Sequence, residues 1–224
     1  MNENHILFIP ALALSGELYA AQRAGLEGQY TTTIGDHTRD SSLTAMAQRI
    51  LNDAPERFTL VGLSMGGYAA FEIMRQAPER VSRLVLMDTN PQEDSPDKHE
   101  NRLRQIAVAE GGKYESLLEP MYLGLVAAKR HNDAALKARV LAMMREAGAG
   151  VFVNQQRAIL SRPDSAPLLP DIRVPVLVVV GEEDGLTTPA MAKCMADAIP
   201  GARFEVIAGA GHLSALESPE VVTG

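Results

Sequence analysis

Short apolar runs rich in β-branched residues alternate along the chain with longer stretches whose apolar side chains recur every three or four positions. The runs His5–Ile9, Tyr30–Ile34, Phe58–Gly62, Arg83–Asp88, Val176–Val180 and Arg203–Ile207 read as strands. Arg83–Asp88 and Val176–Val180 are almost continuously apolar, as in strands covered on both faces. The stretches between them read as amphipathic helices. Leu43, Met46, Ala47 and Ile50 share one face of Ser42–Leu51. Ala69, Ala70, Ile73, Met74 and Ala77 form a stripe that stops at Pro78, and Met191–Ile199 stops at Pro200-Gly201. This alternation predicts an α/β fold with a mostly parallel central sheet flanked by helices.

The rhythm breaks once. From Asn90 to Asp171, about 80 residues separate two core strands, where a plain crossover needs about a dozen. Helical patterns occupy Asn101–Glu110, Glu115–Val126, Asn132–Ala147 and Phe152–Leu160. The expected division is a core of residues 1–90 and 171–224 with a helical cap insertion at 91–170. At the carboxyl edge of a parallel sheet such an insertion covers the ligand crevice; the alternative is that it packs on the sheet flank.

Composition narrows the setting. The 224 residues are 46% hydrophobic and 22% charged, ordinary for a folded domain. With 21 Lys+Arg against 28 Asp+Glu the net charge is −7, which argues against nucleic acid or an anionic membrane as partner. The lone Cys194 has no partner for an internal disulfide, and no Cys/His cluster has metal-ligand spacing. No basic residue precedes the apolar Ile6–Leu14, which Pro10 interrupts, so it does not read as a secretory signal. No run reaches the roughly 20 apolar residues that span a bilayer. A soluble, cytoplasmic protein without membrane insertion is expected; the oligomeric state is not encoded legibly.

Chemistry concentrates in Phe58-Thr-Leu-Val-Gly62-Leu63-Ser64-Met65-Gly66-Gly67-Tyr68, a strand, then G-x-S-x-G, then a helix. Small residues at 62 and 66 permit a strained turn that lifts the Ser64 hydroxyl out of the sheet edge. A serine hydroxyl needs a base to remove its proton. His212, in Gly209-Ala210-Gly211-His212, follows the last strand pattern and is the best placed of the five histidines. An acid must then orient the imidazole. Asp184, in Gly181-Glu182-Glu183-Asp184-Gly185, is favoured by position; Asp88, Glu182 and Glu183 remain open on spacing alone. The order Ser64, Asp184, His212 is that of a triad behind a nucleophile elbow.

These residues resemble the α/β-hydrolase superfamily, in particular its small bacterial esterase-type members with a helical cap. The resemblance runs from about His5 to Glu220 through Gly62–Gly67, Leu86-Met87-Asp88-Thr89, Val180–Asp184, Gly211-His212 and Glu217-Ser218-Pro219-Glu220. It implies Ser64 as nucleophile, His212 as general base and acid, and Asp184 as orienting carboxylate. It further implies an oxyanion hole from the Met65 amide and an amide of the first loop, assigned to Leu12. Relatives usually carry a glycine in that loop where this chain has Ala11, which restricts the backbone. They also commonly close with a full helix, whereas four residues follow Glu220 here.

The implied activity is hydrolysis of a small-molecule carboxylic ester with a small or medium acyl group, without cofactor or metal. A lactonase or carbon–carbon bond hydrolase would use the same triad, and a slow-turnover ligand receptor could keep the same fold. Tyr122, Met143 and Phe152 are expected in the substrate pocket, with Met121 and Met144 as further candidates.

Overall fold

The computed structural model describes residues 4–224. Six strands form one sheet: β1 (His5–Ile9), β2 (Thr31–Ile34), β3 (Phe58–Leu63), β4 (Val81–Met87), β5 (Val176–Gly181) and β6 (Arg203–Ile207). Their order is β2-β1-β3-β4-β5-β6, and every neighbouring pair is parallel. Helices α1 (Ala20–Gly25), α2 (Leu43–Asp53) and α3 (Met65–Gln76) precede β4; α4 (Pro96–Val108), α5 (Glu115–Leu125) and α6 (Ala134–Leu160) lie between β4 and β5. After β5 come α7 (Pro189–Ala198), α8 (Ser214–Glu217) and the short α9 (Pro219–Thr223). Among the described residues no helix is long and apolar enough to cross a membrane.

Successive side chains of the inner strands enter opposite layers of the core, as the two-residue period of a strand requires. Leu7, Ile9, Leu60, Leu84, Val178 and Val180 pack with α2, α3 and α7. Ile6, Phe8, Val61, Leu63, Met87 and Val179 pack with Tyr114, Tyr122, Met143 and Phe152 from the helical stretch. That stretch therefore shares its core with one face of the sheet. Its last helix reads in sequence as two pieces, and it bends at Gly148, whose φ of 74° and ψ of 172° no helix adopts.

Parallel pairing brings the carboxyl ends of β1, β3, β4 and β5 to one rim. The loops leaving that rim carry Leu12, Ser64, Asp88 and Asp184, and the loop after β6 adds His212.

Candidate active site

Ser64 joins β3 to α3 with φ 55° and ψ −113°, a conformation that L-residues rarely adopt. The turn is held by the Ser64 amide donating to the Met87 carbonyl at 2.9 Å. It also requires two glycines. A Cβ on Gly62 would lie 2.3 Å from the Gly66 carbonyl oxygen, and one on Gly66 would lie 2.0 Å from the Ile9 oxygen.

Ser64 Oγ lies 2.8 Å from His212 Nε2, and His212 Nδ1 lies 2.8 Å from Asp184 Oδ2. Asp184 is fixed in turn: its Oδ1 accepts from the amides of Leu186 and Thr187, and its Oδ2 accepts from the Thr187 hydroxyl at 2.6 Å. With Oδ2 facing the ring, the imidazole proton belongs on Nδ1, leaving Nε2 free to accept from Ser64. Burial disfavours the imidazolium, but the charge and hydrogen bond of Asp184 outweigh it and hold His212 above the ordinary 6.5. Burial likewise opposes the Asp184 carboxylate, and His212 with the Thr187 donors lowers its pKa nonetheless.

Asp88 occupies a different place. Its Oδ1 accepts from the Gly181 amide at 2.8 Å and its Oδ2 from the Ser214 hydroxyl at 2.5 Å. It thus ties the β5 end, which leads to Asp184, to the residue two beyond His212. Burial pushes its carboxyl from 3.8 up to about 7, with the Asp184 charge adding to a shift that His212, Ser214 and Gly181 oppose. The unfolded chain releases this proton first, so folding stability falls as pH rises from 3.8 to about 7. Asp88→Asn removes the ionisation. Its melting temperature should therefore gain on the wild type across that interval and level off above it; a difference independent of pH would contradict the assignment.

Neither the Leu12 nor the Met65 amide donates to an acceptor among the described residues, and Leu12 and Ser64 line the same cavity. The Met65 amide opens α3, where the helix leaves its first N–H groups unpaired. In the first loop the left-handed residue is Ala13 (φ 55°), not Ala11, so position 11 does not call for the backbone conformation that favours glycine. Gln155 secures the strained residue: its Oε1 accepts from the Ala13 amide at 2.7 Å while its Nε2 donates to the His37 carbonyl. Glu217 plays a similar part beside His212, accepting from the amides of Gly211 and Ala127, both at 2.9 Å. Gln155, within the polar run Asn154-Gln155-Gln156-Arg157, was not singled out in the sequence, and Glu217 figured there only within a segment of the family resemblance, with no role of its own.

The cavity over Ser64 and His212 has a volume of about 270 Å³. Its apolar walls include Leu12, Tyr68, Met121, Leu125, Ile159 and Leu186, and its polar side comes from α4 together with Asn90 and Asp94 ahead of it. The three pocket residues expected from the sequence are elsewhere. Tyr122 is fully buried, with its hydroxyl donating to the Arg130 carbonyl. Phe152 packs on Tyr114 at 5.2 Å, and Met143 lies in the core cluster with both. The error is one of phase, since Met121, one residue away on α5, does face the cavity. Met144, the other methionine candidate, is likewise in the core. No group of three or more His, Cys, Asp or Glu among the described residues could hold a metal.

Residues 5–223 match the family model described as the alpha/beta hydrolase family, and the chain belongs to that family. A Mycobacterium tuberculosis protein named provisionally as the non-heme bromoperoxidase BpoC is 33% identical over 189 residues, covering 80% of this chain and 69% of that one. The pimeloyl-[acyl-carrier protein] methyl ester esterase of Edwardsiella ictaluri is 30% identical over 190 residues, covering 80% and 71%. Among solved structures, a thermophilic esterase from Thermogutta terrifontis superimposes with a TM-score of 0.90 at 29% identity, over 98% of this chain and 86% of that one. These similarities make the chain a hydrolase of the alpha/beta fold.

Proposed function

We propose that this protein is a serine hydrolase that cleaves carboxylic esters with a small or medium acyl group through an acyl-enzyme on Ser64. The observation that carries this reading is the unbroken relay Ser64 Oγ, His212, Asp184, with both contacts at 2.8 Å, beside two unspent amides. His212 Nε2 takes the Ser64 proton as Oγ attacks the ester carbonyl. The amides of Met65 and Leu12 receive the developing oxyanion, an interaction worth about 2.7–4 kcal/mol per donor in such sites. His212 then gives its proton to the leaving alcohol. Water, deprotonated by the same ring, attacks the acyl-serine, and the acid leaves as Oγ regains its proton. On this reading residues 91–170 act as a cap over a core of residues 1–90 and 171–224, and the small cavity sets the acyl size.

A serine-reactive aryl phosphonate, followed by peptide mass analysis, tests the nucleophile. Attachment at Ser64 with loss of ester turnover is expected; attachment at another residue would overturn the mechanism. A protein that neither labels nor turns over any ester or lactone would be a receptor on this fold. The base must be neutral to act, and His212 holds its proton more tightly than free histidine. kcat/KM should therefore rise with pH through an ionisation above 6.5. An ionisation below that value would contradict the relay.

A further inference from the structure

One wall of the cavity does not suit a plain acyl chain. Lys98, Asn101, Arg102 and Gln105 all line it. Their spacing of i, i+3, i+4 and i+7 puts them on a single face of α4. A helix turned toward an apolar ligand would place apolar side chains at these positions. Here all four are polar, and all four offer hydrogen-bond donors.

The donors are unequally spent. Arg102 is committed, with Nε donating to Asp94 at 2.6 Å and Nη1 to Gln156 Oε1 at 2.7 Å. Because Arg can only donate, Gln156 must accept through its oxygen, and its Nε2 therefore donates to Gln105 Oε1 at 2.6 Å. The chain of bonds fixes Gln105 with its oxygen occupied and its NH₂ group without an acceptor among the described residues. The exposed Asn101 amide has no partner among the described residues. Lys98 Nζ donates to the Leu186 carbonyl at 3.3 Å, a long contact with a neutral acceptor. Asp94, the carboxylate of this wall, is already held by Arg102 and by Arg162 at 2.9 Å. Besides His212 and the neutral phenol Tyr68, the ionisable cavity-lining side chains are Asp94, Lys98 and Arg102. Their sum is +1, in a chain whose net charge is −7.

We infer that the α4 wall receives an anionic, acceptor-rich group of the substrate, a carboxylate separate from the scissile ester, with Lys98 supplying the charge and the Asn101 and Gln105 amides the hydrogen bonds. The catalytic side of this inference rests on the ester-hydrolase reading; the binding side does not. A carboxylate is a better acceptor for an ammonium than the Leu186 carbonyl, so Lys98 exchanges one for the other as substrate enters. Asp97 and Glu100 do not line the cavity and so do not occupy this position.

The test compares monomethyl adipate with methyl hexanoate, and ω-acetoxyhexanoate with hexyl acetate, which place the carboxylate on the acid and the alcohol side respectively. The wild type should prefer the carboxylate-bearing member of one pair, which identifies the side. Lys98→Met should lower that preference by about five- to tenfold, mainly through KM, and Lys98→Glu should lower it further. Equal kcat/KM within both pairs, with hydrolysis that depends on Ser64, would overturn the subsite and leave the hydrolase reading intact. Calorimetry with adipate on the Ser64→Ala protein separates the two ideas. Binding that weakens when Lys98→Met is added supports the subsite even if no ester is cleaved. Absence of binding, or binding indifferent to Lys98, overturns it.

Discussion

Ser64→Ala is expected to lower kcat for any ester the protein cleaves by at least about 10³-fold, with KM little changed. The loss falls on kcat because Oγ forms the bond that distinguishes the transition state from bound substrate, while the cavity walls are untouched. Alanine carries the same backbone demands at φ 55°, so the variant should remain folded, and an unchanged melting profile checks this. Residual turnover within tenfold of the wild type would mean that another group attacks the carbonyl, and the proposed mechanism would be abandoned.

Asp184→Asn should cost on the order of 10³- to 10⁴-fold in kcat, for a reason that its neighbours dictate. The Leu186 and Thr187 amides both donate to Oδ1, so the oxygen of an asparagine must stay there. Its NH₂ group is then forced to the Oδ2 position, 2.8 Å from His212 Nδ1. The ring must accept at Nδ1 and carry its proton on Nε2, facing Ser64 with no lone pair to offer. Loss of the Asp184 charge also lowers the ionisation that governs the acidic limb of the pH profile. Asp88→Asn should behave differently. Its oxygen keeps the Gly181 amide, and its NH₂ group can donate to the Ser214 hydroxyl, so kcat should stay within about tenfold. If Asp88→Asn were the more damaging substitution, the orienting acid would be Asp88.

The inner strands were legible because burial on both faces leaves long apolar runs: β1 has the bounds that its pattern indicates, and β4 and β5 differ at their ends by one or two residues; the exposed edge strand β6 also has the bounds read from its pattern. The G-x-S-x-G turn was legible because its glycines answer steric contacts that leave no room for a Cβ. The substrate wall was not. On α5, Leu118 and Tyr122 point into the core while Met121 and Leu125 point into the cavity, so the helix is apolar on both sides and periodicity cannot choose between them. The polar face of α4 carried no sign of a site in the sequence, because only the fold reveals that it borders a cavity. Gln155 was hidden for the opposite reason: the strained amide it secures lies 142 residues away in the chain.

Glu217 has one further effect. By gripping the amides of Ala127 and Gly211 with its two oxygens, and with the Leu213 amide bonded to the Leu125 carbonyl, it fuses the end of α5 to the turn that carries the imidazole. That corner cannot swing outward as a door without dragging the base off the nucleophile. At the opposite corner Lys98 of α4 reaches the strand-five loop through one long contact with the Leu186 carbonyl, so the two corners of the cavity are tied with very different firmness.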